Sequence, residues 1–89
     1  MAPVHLTQIG KPGCHLCDDA RGVVSSVLEQ LGVEPGAPDI VLEERSILDD
    51  AALHELYVDD IPVVLINGKV HNHWRIDPVR LSTELRKLR

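Results

Sequence analysis

Cys14 and Cys17 are the only cysteines of the 89-residue chain, and they stand together as Cys14-His15-Leu16-Cys17. Two thiols at this spacing on a first helical turn can close a disulfide, and the unpaired backbone N–H groups there can hold a thiolate. Zinc sites use the same spacing. His71 and His73 would complete a two-Cys, two-His set in that alternative, since they fall on one face of an alternating segment. The plainer reading makes them solvated residues of an edge strand. His71-Asn72-His73 is no nuclease signature, because three adjacent letters supply no ββα metal fold. His15, directly after Cys14, is expected to point to solvent.

These thiols need elements to position them. Val4 to Ile9 alternates as a strand, expected to be central, and Gly10-Lys11-Pro12-Gly13 breaks it. A helix is predicted from about His15 to Leu31. Leu16, Ala20, Val23, Val24, Val27, Leu28 and Leu31 form one stripe at three- and four-residue spacings. Gly32 is expected to stop that helix, and Gly22 inside it suggests a close packing approach.

A loop at residues 34–38 leads to a second strand, Asp39 to Arg45, expected near a sheet edge because its end is charged. A short helix from roughly Asp50 to Tyr57 turns Leu53, Leu56 and Tyr57 inward. Ile61 to Ile66 is a β-branched run typical of a buried strand. Asn67-Gly68 predicts a type I′ turn, and Lys69 to His73 returns antiparallel. Asp77-Pro78 supplies an N-cap and an N1 proline for a last helix with Leu81, Leu85 and Leu88 inward. The order βαβαββα predicts a four-stranded mixed sheet with helices on both faces, an α/β fold, and a right-handed crossover after the first strand. Residues 1–89 are read as one domain with one modest core. With no Phe, one Trp and one Tyr, that core must be aliphatic.

Composition excludes several functions. The net charge of -5 argues against nucleic acid, which needs a basic footprint. No apolar run approaches the ~18–20 residues of a membrane span. The first ten residues lack the features of a secretory leader, which predicts a cytoplasmic protein, and two cysteines in one motif make no structural disulfide framework. Charge is uneven, however. Lys11, Arg21 and Arg45 are the only cations of residues 1–68, whereas Lys69, Arg75, Arg80, Arg86, Lys87 and Arg89 crowd into the rest. Arg86, Lys87 and Arg89 complement the C-terminus of the last helix. Arg75 and Arg80 lie too early for that and are suited to an anionic partner.

Over nearly its full length the chain resembles the glutaredoxin branch of the thioredoxin superfamily. The resemblance rests on the C-x-x-C opening the first helix, Ile61-Pro62 before the third strand, the hairpin, and the acidic N-cap of the last helix. It implies that Cys14 is the exposed nucleophile and Cys17 the resolving thiol. It implies a cis Ile61–Pro62 bond, with a proline facing the disulfide and the preceding backbone free to pair with an extended peptide or glutathione. Lys11 sits at the offset where such proteins place a lysine against a glutathione carboxylate.

The usual Pro-Tyr between the cysteines is His-Leu here. The usual glycine pair before the last helix is replaced by His73-Trp74-Arg75-Ile76-Asp77, where Asp77 can meet the amine of glutathione. A bulky Trp74 at this place is similar to small redoxins that accept electrons from thioredoxin reductase, and the overall pattern looks like a bacterial glutaredoxin-like family. The resemblance therefore implies a dithiol–disulfide oxidoreductase with no bound cofactor. Its partners would be a disulfide-containing protein or glutathione, with glutathione or thioredoxin reductase as reductant. A metal-binding module and a non-catalytic adaptor are the alternatives.

Attack on a disulfide requires thiolate, and an ordinary thiol with pKa ~8.5 is only a few per cent ionised at neutral pH. The helix N-terminus and Lys11 favour the Cys14 thiolate, while Asp18 and Asp19 oppose it. A Cys14 pKa below the ordinary value is the expected balance.

Overall fold

The computed structural model describes residues 2–88; Arg89, expected to complement the last helix, lies outside them. The elements run β1 (Val4–Gly10), α1 (His15–Gly32), β2 (Ile40–Ser46), α2 (Ala51–Tyr57), β3 (Val63–Ile66), β4 (Lys69–His73) and α3 (Pro78–Arg86). The sheet order is β2-β1-β3-β4, with β1 inside and β2 at an edge. β1 and β2 pair in parallel from Val4↔Ile40 to Gly10↔Ser46, and β3 lies antiparallel to β1. Asn67 and Gly68 join β3 to β4 with φ of 50° and 82°, the two left-handed residues that a type I′ turn requires.

Alternation along β1 feeds two cores. Val4 and Leu6 join Val64 beneath Ala20, Val24, Val27 and Leu31 of α1 and Leu81 and Leu85 of α3. On the other face Ile9, Ile47 and Val63 lie under Leu53 and Tyr57 of α2. Asp50 caps α2 through bonds from the Ala52 and Leu53 N–H groups, and Asp77 caps α3, with Pro78 following as expected.

Several sequence expectations are corrected. α1 runs through Gly32, with Val33 as its C-cap in a right-handed conformation; the left-handed turn falls to Gly36, at φ 75°. A Cβ on Gly22 would meet nothing within 4 Å, so no element packs closely there. Leu56 is 65% exposed, because a seven-residue helix lays only a narrow stripe, Leu53 and Tyr57, on the sheet. α3 ends at Arg86, which leaves Leu88 beyond the helix and 41% exposed. β3 starts at Val63 rather than Ile61. Pro62 has no N–H to give a ladder, and the Ile61 N–H is already bonded to the Tyr57 carbonyl at 3.2 Å.

Candidate active site

Cys14 is the N-cap of α1. Its backbone is extended, and its Sγ accepts from the Cys17 N–H at 3.2 Å. Its carbonyl accepts from the Asp18 N–H at 3.0 Å and closes the first turn. The turn into the helix passes through Gly13, at φ 74°, a conformation that glycine adopts without steric cost. Cys14 and Cys17 form a disulfide, with Cα atoms 5.2 Å apart. Their environments differ: Cys14 is half-buried, whereas Cys17 is 1% exposed.

Two residues that hold Cys17 were not singled out from the sequence. A Cβ on Gly10 would stand 2.9 Å from Cys17 Sγ and 3.2 Å from Cys17 Cβ. The bare backbone at the end of β1 is therefore what lets the Cys17 sulfur sit against the sheet. Gly10→Ala is expected to destabilise the disulfide form by about 1–3 kcal/mol, the usual scale of overpacking. It should affect the dithiol form less, because there Sγ is no longer tied to Cys14 Sγ. Denaturant unfolding of the two redox forms checks this. Gln8, two residues earlier on the inward face of β1, is 3% exposed and donates from Nε2 to the Cys17 carbonyl at 3.0 Å. Its Oε1 is buried without a partner among the described residues, a cost of about 1–3 kcal/mol for such a group. The available signal was a polar residue continuing the Val4/Leu6 inward series.

Ile61–Pro62 is cis, as the resemblance implies. The pairing of Ile9 with Val63 puts this segment at the same end of the sheet as Gly10 and the cysteines. The backbone before the proline is only partly free, contrary to expectation, because the Ile61 N–H goes to Tyr57; beyond it, the Pro62 carbonyl accepts from the Trp74 N–H at 2.8 Å.

The other anticipated residues divide between two hollows. Lys11 lines a cleft of about 390 Å³ with Gln8, Gly10, Cys17, Arg45 and Asp49. On the opposite flank Leu16, His73, Trp74 and Arg75 line an open groove of about 470 Å³. Trp74 is 53% exposed at φ 62°, and a non-glycine residue is costly to hold in that region. Its N–H bond to Pro62 and its Nε1–H bond to the Asp59 carbonyl, at 3.0 Å, hold it there, with the His73 ring edge-on at 4.6 Å. The Asp77 Oδ1 accepts from the Val79 and Arg80 N–H groups, so this carboxylate is engaged as a cap. His15 is exposed.

The alternative union of Cys14, Cys17, His71 and His73 is not formed. A register shift between Val64 and Leu65 leaves His71 unpaired on β4, and the extra residue re-aims it. His71 lies in a hollow with Glu84 and Leu88, whereas His73 stands beside Trp74. Burial, aided by the Arg80 charge, lowers the His71 pKa. Among the described residues no three His, Cys, Asp or Glu side chains converge as a metal site.

A C-x-x-C disulfide on the N-cap of α1, at the end of the sheet that carries the cis-proline, defines a thioredoxin-fold protein with a redox-type site. The family model described as "Glutaredoxin-like domain (DUF836)" matches residues 5–86, and the chain belongs to that family. It is similar to the solution structure of protein Ne2328 from Nitrosomonas europaea, with 25% identity, TM-score 0.73, and 96% and 94% of the two chains covered. It is also similar to protein XcR50 of X. campestris, with 30% identity, TM-score 0.63, and 90% and 93% covered. Mitochondrial Thioredoxin 3 of Saccharomyces cerevisiae shares the fold, at 11% identity and TM-score 0.66, over 98% of this chain and 80% of that one. An uncharacterized protein of Mycobacterium tuberculosis is 24% identical over 75 residues, which is 84% of this chain and 75% of the relative. Among the described residues no helix is long and apolar enough to cross a membrane.

Proposed function

We propose that this protein is a thiol–disulfide oxidoreductase that reduces protein disulfides or glutathione mixed disulfides. The observation that carries the reading is the asymmetry of the pair. Cys14 is half-buried on a helix N-terminus and its Sγ receives an N–H bond, while Cys17 is almost wholly buried. Helix N-terminal N–H groups favour a sulfur anion, so the accessible sulfur is the one suited to attack.

In this reading the Cys14 thiolate attacks one sulfur of the substrate disulfide. The new Cys14–substrate bond forms as the old bond breaks, and the departing sulfur leaves as a thiolate. Cys17 then loses its proton and attacks Cys14 Sγ, which expels the second substrate sulfur. The pair ends as the Cys14–Cys17 disulfide, and two electrons from glutathione or through thioredoxin reductase restore it. Turnover of insulin and of a glutathione mixed disulfide, each with both electron donors, tests the proposal. No turnover of either substrate with either donor overturns it. Neither a bound cofactor nor a metal enters these steps.

Leu16, two residues after Cys14, lines an apolar groove with His73 and Trp74. Arg75, with no carboxylate partner among the described ion pairs, adds a cation. This supports a protein substrate that presents an apolar side chain with an acidic neighbour next to its disulfide. Trp74→Ala is expected to lower kcat/KM for a protein disulfide roughly tenfold or more, the scale of losing an aromatic anchor. A small disulfide should be reduced at nearly the unaltered rate. Equal losses for both substrates would assign Trp74 to the fold instead.

A further inference from the structure

We infer that Gln8 is a positioning residue of the redox pair, its Oε1 accepting a hydrogen bond from the Cys17 thiol in the reduced protein and so favouring the dithiol. The Cys17 carbonyl can only accept, so the amide must present Nε2 to it. Oε1 is thereby turned away from that bond, and among the described residues it is buried with no partner while the cysteines are joined. Gln8 and Cys17 share the walls of one cleft, and both are almost wholly buried. A buried acceptor that lacks a donor in one redox state belongs to a side chain already bonded to Cys17, whose sulfur gains a hydrogen in the other.

The chemistry closes this gap. A thiol reductant attacks Cys14 Sγ as a thiolate, the Cys14–Cys17 bond breaks, and Cys17 leaves as a thiolate that takes up one proton. A second reductant thiolate displaces Cys14 from the mixed disulfide; the reductant is oxidised to its disulfide, and two electrons remain on the pair. The new Cys17 S–H is a donor that the oxidised state lacks. Gln8 Oε1 receives it directly. The bond exists only in the reduced form, and the orphaned oxygen burdens only the oxidised form. Both effects act in the same direction.

The inference rests on the redox reading of the pair. Its test is the thiol–disulfide equilibrium of Gln8→Met against glutathione, with denaturant unfolding of both redox forms. Methionine keeps the length of the side chain and removes both polar atoms. The equilibrium is expected to move about fivefold toward the disulfide, a potential about 20 mV more negative at 29.6 mV per decade. A residue that only supports the fold would shift the stability of both forms equally and leave the equilibrium unchanged; that result overturns the role of Gln8, as does a shift toward the dithiol. A pair that never forms a disulfide removes the redox reading itself.

A second measurement stands even where Gln8→Met does not fold. In Cys14→Ser the single remaining S–H belongs to Cys17, and its infrared stretch should lie below that of a free thiol. A band at the free-thiol position overturns the inference.

Discussion

Cys14→Ser is expected to abolish disulfide reduction, by at least roughly 10³-fold, the scale of removing a covalent nucleophile. Serine at the N-cap keeps the capping geometry, so the fold should survive. Its hydroxyl is not ionised at neutral pH, and the first step fails. Cys17→Ser should behave differently. Cys14 remains accessible, attack on the substrate proceeds, and the mixed disulfide persists because nothing resolves it. Mass spectrometry of the protein after exposure to a disulfide substrate, without added reductant, should show a stoichiometric adduct on Cys17→Ser and none on Cys14→Ser. The reverse pattern would exchange the roles of the two cysteines. The physical basis for attack by Cys14 and resolution by Cys17 is burial: Cys17 is 1% exposed, and Cys14 is only half-buried.

The second large effect concerns the fold that holds this pair. Leu81 is fully buried where α3 packs onto α1 and the sheet. Leu81→Ala is expected to cost about 2–5 kcal/mol, the transfer of the lost atoms plus the cavity they leave. A domain this small has only about 5–15 kcal/mol in total. Its Tm should fall by roughly 4–8 °C per kcal/mol, a loss easily read by calorimetry or circular dichroism. Leu88→Ala should change stability by no more than about 0.5 kcal/mol, because Leu88 lies beyond the end of α3 and is 41% exposed. An equal cost for the two would show that α3 continues and that Leu88 faces the core.

That pair of leucines marks where sequence reading stops. Leu81, Leu85 and Leu88 share helical spacing, and periodicity alone cannot tell that the helix ends between the last two. Leu53, Leu56 and Tyr57 pose the same difficulty on α2, where the helix has only seven residues. Long elements were legible: the seven-residue stripe of α1, the Asn67-Gly68 turn and the Asp77-Pro78 cap all stand where their local chemistry puts them. Local signals fix local geometry, and these depend on neighbours in sequence only.

Gly10 and Gln8 show the opposite case. As sequence, one is a strand breaker and the other a polar residue on a strand. Their importance comes from a helix that folds back so that Cys17 lies against both. His71 and His73 likewise share a strand face on paper, but a bulge, which no local residue signals, turns them apart.

Two thiols opening an amphipathic helix within a βαβαββα order can be read from the residues alone, because spacing, capping and turn residues act over a few positions. The unequal burial of the two cysteines, the groups that hold Cys17 and the engagement of the Ile61 N–H emerge only once the chain is folded. Burial and contact across the sheet are set by residues distant in the chain, and periodicity carries no information about them.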